Sequence, residues 1–220
     1  MSKAIGVRAA FEALREALRA TFPGLVGELR DPVPFYVDWQ DRPGAEDLLT
    51  LWSLTSGQAD GMLGICGGLR LLGPDDSEAE HAKWRKLLQG PGIDAVAHPV
   101  WDDSQSLNPD AVRGVYFAAG WIPVLCEPLE ANYLAVDLVP LPGGRPGQII
   151  LCGRDEDYKI VVAPDLATVL YALAAECRAG AWEIETTQTA TGPQRYLERC
   201  GGRLLSACLN RTFPPPRGAL

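Results

Sequence analysis

The chain has 220 residues and a mass of 23.7 kDa, enough for one large domain or a domain with an elaborated end. Its 47% apolar, 22% charged and 8% aromatic residues describe a folding globular protein and exclude a disordered or fibrous one. A net charge of −8 has the wrong sign for direct nucleic-acid binding, and no uncharged apolar run reaches the roughly 18 residues of a spanning helix, so no membrane-embedded role is expected.

The amino terminus interrupts its apolar residues with Arg8, Glu12, Arg15, Glu16 and Arg19, unlike an export signal, and a cytoplasmic location is expected. Val7, Phe11, Leu14, Leu18 and Phe22 lie at helical spacings, which predicts an amphipathic helix stopped by Pro23 and Gly24. Residues 30–44, broken by Pro32, Pro34 and Pro43, read as an irregular connection. A second helix is predicted over 45–55, with Leu48, Leu51, Trp52 and Thr55 on one side and Ser56-Gly57 ending it. Ser77 and Glu80 match a capping box and predict the start of a third helix carrying His81, read as a surface residue, and Trp84, Leu87 and Leu88.

From about residue 120 the period becomes strand-like. Short β-rich runs at 121–124, 133–138, 148–152 and 160–162 are separated by turns, among them the glycine-rich 143–147. Asp165 then caps a helix whose face is Leu166, Val169, Leu170, Leu173 and Cys177, ended by Gly180. Residues 194–209 read as a helix interrupted at Gly201-Gly202, and 212–220 as a proline-rich tail. Acidity is concentrated centrally: residues 31–165 carry 9 basic and 21 acidic groups, a net of −12, while both ends are mildly basic.

The six cysteines form no CxxC pair and only two histidines are present, so neither disulfides, a metal site nor any cofactor is expected. The run Gly64-Ile65-Cys66-Gly67-Gly68 matches no phosphate-binding or nucleophile template, and a catalytic Cys66 would have only His81 or His98 as a base. Asp102-Asp103 and Asp155-Glu156-Asp157 could hold a cation, but their spacing follows no metal-loop pattern and charged surface loops are the better reading. The six tryptophans are core residues, with one or two open to an interface role.

Several motifs occur in an order that resembles the SUKH superfamily: Leu51-Trp52 to Ser56-Gly57-Gln58, then Gly67 to Leu72, Trp84-Arg85, Val100-Trp101 and Trp121-Ile122-Pro123. Asn132 to Leu138 follows, then Pro140 and Gly147-Gln148-Ile149-Ile150, so the likeness spans about residues 5–178. The subgroup resembled is that of the fungal cell-wall assembly regulator and bacterial toxin-immunity proteins. The resemblance implies an α+β fold, a mostly antiparallel sheet of about four to six strands packed by helices, in a domain over 1–180 followed by an extension over 181–220. It implies no catalytic residues, and mainly architectural roles for Gly57, Gln58, Trp84, Trp101, Trp121, Pro123, Asp137, Gly147 and Gln148. The turn at 127–131, with Glu127 and Glu130, departs from the glycine-rich acidic turn usual there.

The function that the resemblance implies first is an immunity protein neutralising a nuclease-type toxin of a polymorphic or contact-dependent system. The acidic middle points the same way, toward a basic protein partner. The alternative is a regulatory or scaffolding interaction protein of the cell-wall assembly regulator type. Partner-binding candidates are the loop acids Asp102, Asp103, Glu127, Glu130, Asp155, Glu156 and Asp157; the oligomeric state is left open.

Overall fold

The runs 121–126, 132–137 and 148–153 are apolar at nearly every position, a pattern that suits strands covered on both faces rather than on one. A computed structural model describes residues 6–59, 64–97, 104–127, 132–189 and 192–199, and these runs form the centre of its sheet. In chain order the elements are helix α1 (Val7–Thr21), a 3-10 turn (Pro23–Glu28), α2 (Glu46–Trp52), β1 (Arg70–Leu71), α3 (Pro74–Arg85), β2 (Val96–Ala97), β3 (Gln105–Ser106) and β4 (Phe117–Ala118). They continue with β5 (Trp121–Cys126), β6 (Asn132–Asp137), β7 (Gln148–Gly153), β8 (Tyr158–Ala163), α4 (Leu166–Arg178), β9 (Trp182–Thr189) and β10 (Gly192–Arg199).

Six strands make the main sheet in the order β1-β5-β6-β7-β8-β3, with only the β3–β8 edge pair parallel. The fold is thus α+β with a mostly antiparallel sheet, as the sequence predicts. β2 pairs with β4, and β9 with β10, in two further two-stranded sheets.

Alternation along the strands divides the interior in two. Ile122, Val124, Leu134, Val136, Ile149, Leu151 and Ile160 join the buried faces of α1, α2 and α4 in one cluster. Trp121, Cys126, Tyr133, Ala135, Ile150 and Cys152 meet Trp84 of α3 and Phe117 in the other. Pro123, which cannot donate to a ladder, sits where the register slips between Pro123 and Leu125. The carbonyls freed there are used: Pro123 O accepts from Ser77 Oγ (2.7 Å) and Val124 O from Leu72 N (2.9 Å).

Ser77 is therefore inside α3 and not its cap. The helix starts one turn earlier, with Pro74 at its first position, where the missing N–H costs nothing, and Asp75 and Asp76 favoured by the positive end of the helix. α2 ends at Trp52, before the predicted stop at Ser56-Gly57, and the helical face of α3 does not reach Leu87 and Leu88. His81 is buried, not on the surface. The predicted helix from 194 is corrected over its described part: residues 192–199 are strand β10, which begins at Gly192 (φ 116) and pairs antiparallel with β9. Trp182 and Leu197 at the base of this hairpin belong to the main core. The remainder of that predicted helix, the tail at 212–220, Cys200 and Cys208 lie outside the described residues.

α4 shows the predicted cap: Asp165 Oδ1 accepts from Thr168 N (2.9 Å) and Thr168 Oγ1 (2.6 Å). Gly180 follows its C-cap, Ala179.

Candidate functional site

Three places in the fold hold polar groups that the hydrophobic core alone does not call for: a buried knot between loops, an acidic sheet end and a cleft beside α3.

The knot joins residues that the sequence singles out. Asp137 ends β6 directly opposite Trp121 of β5 and Gln148 of β7, and is fully buried. Its carboxylate accepts from Val139 N (3.0 Å) and Gln148 Nε2 (2.9 Å); Gln148 also donates to Ala111 O (3.1 Å) and accepts from Arg145 N (3.2 Å). Burial pushes the Asp137 carboxyl up to about 6, and the bonds from Gln148 and Val139, the charge of Arg113 and the nearby Trp121 indole hold it from going further. The indole Nε1 of Trp121 approaches this carboxylate without completing a regular hydrogen bond. Gly147, at φ 86, donates its N–H to Asp137 O (2.8 Å), and a side chain on the facing Gly44 would overlap the Gly147 backbone. Gly57 (φ 89) packs likewise on Gly73, and Gln58 Oε1 accepts from Ile65 N (3.0 Å). The Asp137 and Gln148 side chains are both buried and spent on holding these loops.

At the acidic sheet end, four of the predicted partner-binding acids come together. Glu127 follows β5, and Asp155, Glu156 and Asp157 lie between β7 and β8; Asn132 ties the two loops, donating to Glu127 Oε2 (2.9 Å) and accepting from Asp155 N (3.2 Å). Asp155 is exposed and paired with Arg154 (2.9 Å), which lowers its pKa. Glu156 is raised by burial, with the neighbouring charges of Asp157 and Glu127 adding to it against Tyr158 N and Lys159. Lys159 is buried and donates to Glu156 O. Asp102, Asp103, Glu130 and Trp101 lie outside the described residues. No group of three or more His, Cys, Asp or Glu side chains positioned to hold a metal occurs among the described residues.

The third place was not legible in the sequence. A cleft of about 450 Å³ opens between the 38–42 turn, the last turns of α3 and the 88–93 segment, lined by Asp38, Trp39, Arg42, His81, Arg85 and Leu88 among others. His81 at its floor is fixed at both nitrogens: Nε2 donates to Ala119 O (2.7 Å) and Nδ1 accepts from Arg85 Nε (3.0 Å). Burial lowers its pKa and keeps it neutral. Arg85 is held further by Glu78 (3.0 Å).

Nucleophilic chemistry at Cys66 has no support in this geometry. Its thiol is fully buried and burial pushes it up to about 12, with Cys177 adding to the shift, so the reactive thiolate is suppressed at neutral pH. Cys126, Cys152 and Cys177 are likewise buried thiols. The described tryptophans, at 39, 52, 84, 121 and 182, are all core residues. Trp84 stacks on Phe117 with ring centroids 5.0 Å apart, and Phe117 meets Trp121 edge-on.

No family model matches the chain. Among individual proteins it is similar to the cell wall biosynthesis/cell cycle regulator smi1 of Schizosaccharomyces pombe, 37% identical over 126 residues, which are 56% of this chain and 25% of that protein. It is 28% identical over 180 residues to the cell wall assembly regulator SMI1 of Saccharomyces cerevisiae, covering 71% of this chain and 34% of that one. A glucan synthesis regulatory protein of Neurospora crassa is 44% identical over 80 residues, 36% of this chain and 15% of that protein. The chain thus spans about a third or less of the length of these relatives, and they support its resemblance to the Smi1/KNR4 regulators.

Proposed function

We propose that the chain is a non-catalytic protein-interaction domain with a regulatory role of the kind for which the cell-wall and glucan-synthesis regulators are named. The observation that carries this reading is the similarity to those regulators, which runs through up to 71% of the chain. In the geometry, the Asp137–Gln148 pair holds loops, burial suppresses the Cys66 thiolate and His81 has both nitrogens engaged. No described helix is long and apolar enough to cross a membrane, and a cytoplasmic setting goes with this reading.

A second reading, an immunity protein for a basic, nuclease-type toxin, is favoured by one observation, the gathering of Glu127, Asp155, Glu156 and Asp157 at one sheet end. Such a patch would steer a basic partner. It is the weaker of the two because Arg154 in the same loop and Lys159 near the start of β8 offset part of its charge.

Deleting the gene in its host separates the readings. The regulatory one predicts altered cell-wall polysaccharide or stress tolerance in pure culture, restored by re-expressing the chain. Unchanged walls, with death only when a neighbouring or co-encoded toxin is expressed, would overturn it in favour of immunity.

A further inference from the structure

The cleft beside α3 brings two cationic side chains together in an acidic molecule. In a chain of net charge −8, two guanidinium groups, Arg42 and Arg85, face one carboxylate, Asp38, across it, and the imidazole between them is neutral. The two cations differ in use. Arg85 is locked by Glu78 and His81, whereas Arg42 is exposed and makes no side-chain hydrogen bond or ion pair with any described residue. An exposed Arg fork aimed into a cleft is a ready carboxylate receptor, since its paired N–H groups match the two oxygens.

The remaining walls are apolar, given by Trp39, Leu88 and Ile93. The rim is low where Gly90 and Gly92 stand: a side chain at either would meet nothing within 4 Å, so an extended backbone can lie across the mouth. The volume of about 450 Å³ falls within the range of roughly 300–1,000 Å³ typical of ligand sites.

We propose that this cleft is the docking pocket for a short acidic-apolar segment of a partner protein, in which an Asp or Glu engages Arg42 and a neighbouring aliphatic or aromatic side chain fills the wall of Trp39 and Leu88. The proposal rests on the interaction-domain reading above and supplies its partner chemistry. Asp38 is then left to accept from backbone N–H groups of the segment. The surrounding acidic surface repels a merely acidic peptide, so selectivity comes from the coincidence of carboxylate and apolar side chain at one spot.

The test is selection of random dodecapeptides displayed on phage against the full chain, followed by fluorescence anisotropy of the best peptide, synthesised with fluorescein. The expected result is enrichment of Asp or Glu beside Leu, Ile, Phe or Trp. Binding should weaken about tenfold or more in Arg42→Glu and by a smaller factor, about threefold, in Arg42→Lys, which keeps the charge but loses the fork. It should change less than about twofold in Arg8→Glu, the same charge change on the exposed face of α1. Because Arg42 is exposed, an unchanged melting curve shows that the variants are folded. Enrichment of basic peptides, no enrichment, equal loss in Arg42→Glu and Arg8→Glu, or no loss in Arg42→Glu would each overturn the proposal. If the Arg42→Glu chain fully restores a deletion strain, the pocket is wrong while the regulatory reading stands; if deletion has no wall phenotype, that reading itself falls.

Discussion

Asp137 and Gln148 show how a single buried pair organises three loops. The carboxylate is desolvated, and what makes its burial tolerable is that both oxygens receive N–H donors, one of them from Gln148, which at the same time satisfies Ala111 O and Arg145 N. The pH consequence follows from the direction of its shift. The folded pKa of about 6 lies above the ordinary value of 3.8, so the group's contribution to stability is full below about pH 4 and is lost as pH rises through about 6. Replacing Gln148 by Leu removes the first donor that opposes this shift, so the folded pKa rises further and the loss at neutral pH deepens. Gln148→Leu is expected to cost about 1–3 kcal/mol at pH 7.5 and less at pH 5, where the carboxyl is largely protonated, in urea denaturation at the two pH values. Equal losses at both would show that Asp137 is not the group responding. Residues of this kind were partly legible: Asp137, Gly147 and Gln148 stand out by type, but their meeting with Ala111 and Arg145 depends on loop paths that no local pattern encodes.

At the level of elements, the helices and central strands follow from periodicity, and the errors have local causes. Ser77 and Glu80 have the spacing of a capping box, yet a Pro at the first position and two acids beside it define the start of α3; Ser77 instead donates to Pro123 O, and Glu80 accepts from Tyr133 Oη (2.8 Å). The hairpin was missed because Leu197, Leu204 and Leu205 suggest a helical stripe. The Thr-rich stretch before them, with Ile184 among β-branched neighbours, has the stronger strand character. Short strands such as β1 and β3, two residues each, leave no period to detect. The hairpin base also has an energetic consequence. Trp182 lies over Gly67, where an added Cβ would come within 3.1 Å of its ring, and Leu197 is fully buried. Trp182→Ala is therefore expected to cost about 3–5 kcal/mol in equilibrium unfolding. A cost under about 1 kcal/mol would mean that the core does not depend on residues beyond 180.

For the whole molecule, the charge distribution divides the surface into regions with different reach. If the acidic sheet end meets a basic partner, it would act at long range and through association rate, weakening with salt over a Debye length of about 8 Å at physiological ionic strength. The cleft beside α3 acts by contact and sets which segment stays. The acidic middle was visible in the sequence as a block of charge, but the cleft draws on positions from 38 to 119 and emerges only once α3 is laid against the 38–42 turn.

Whether this chain works by holding another protein is decided by affinity capture of the tagged chain from its host, with quantitative mass spectrometry. The expected result is a stoichiometric protein partner containing an exposed acidic-apolar segment, retained by the unaltered chain and by Arg8→Glu and lost with Arg42→Glu. A purified chain that captures no protein above background at low salt, with crosslinker present, would contradict it.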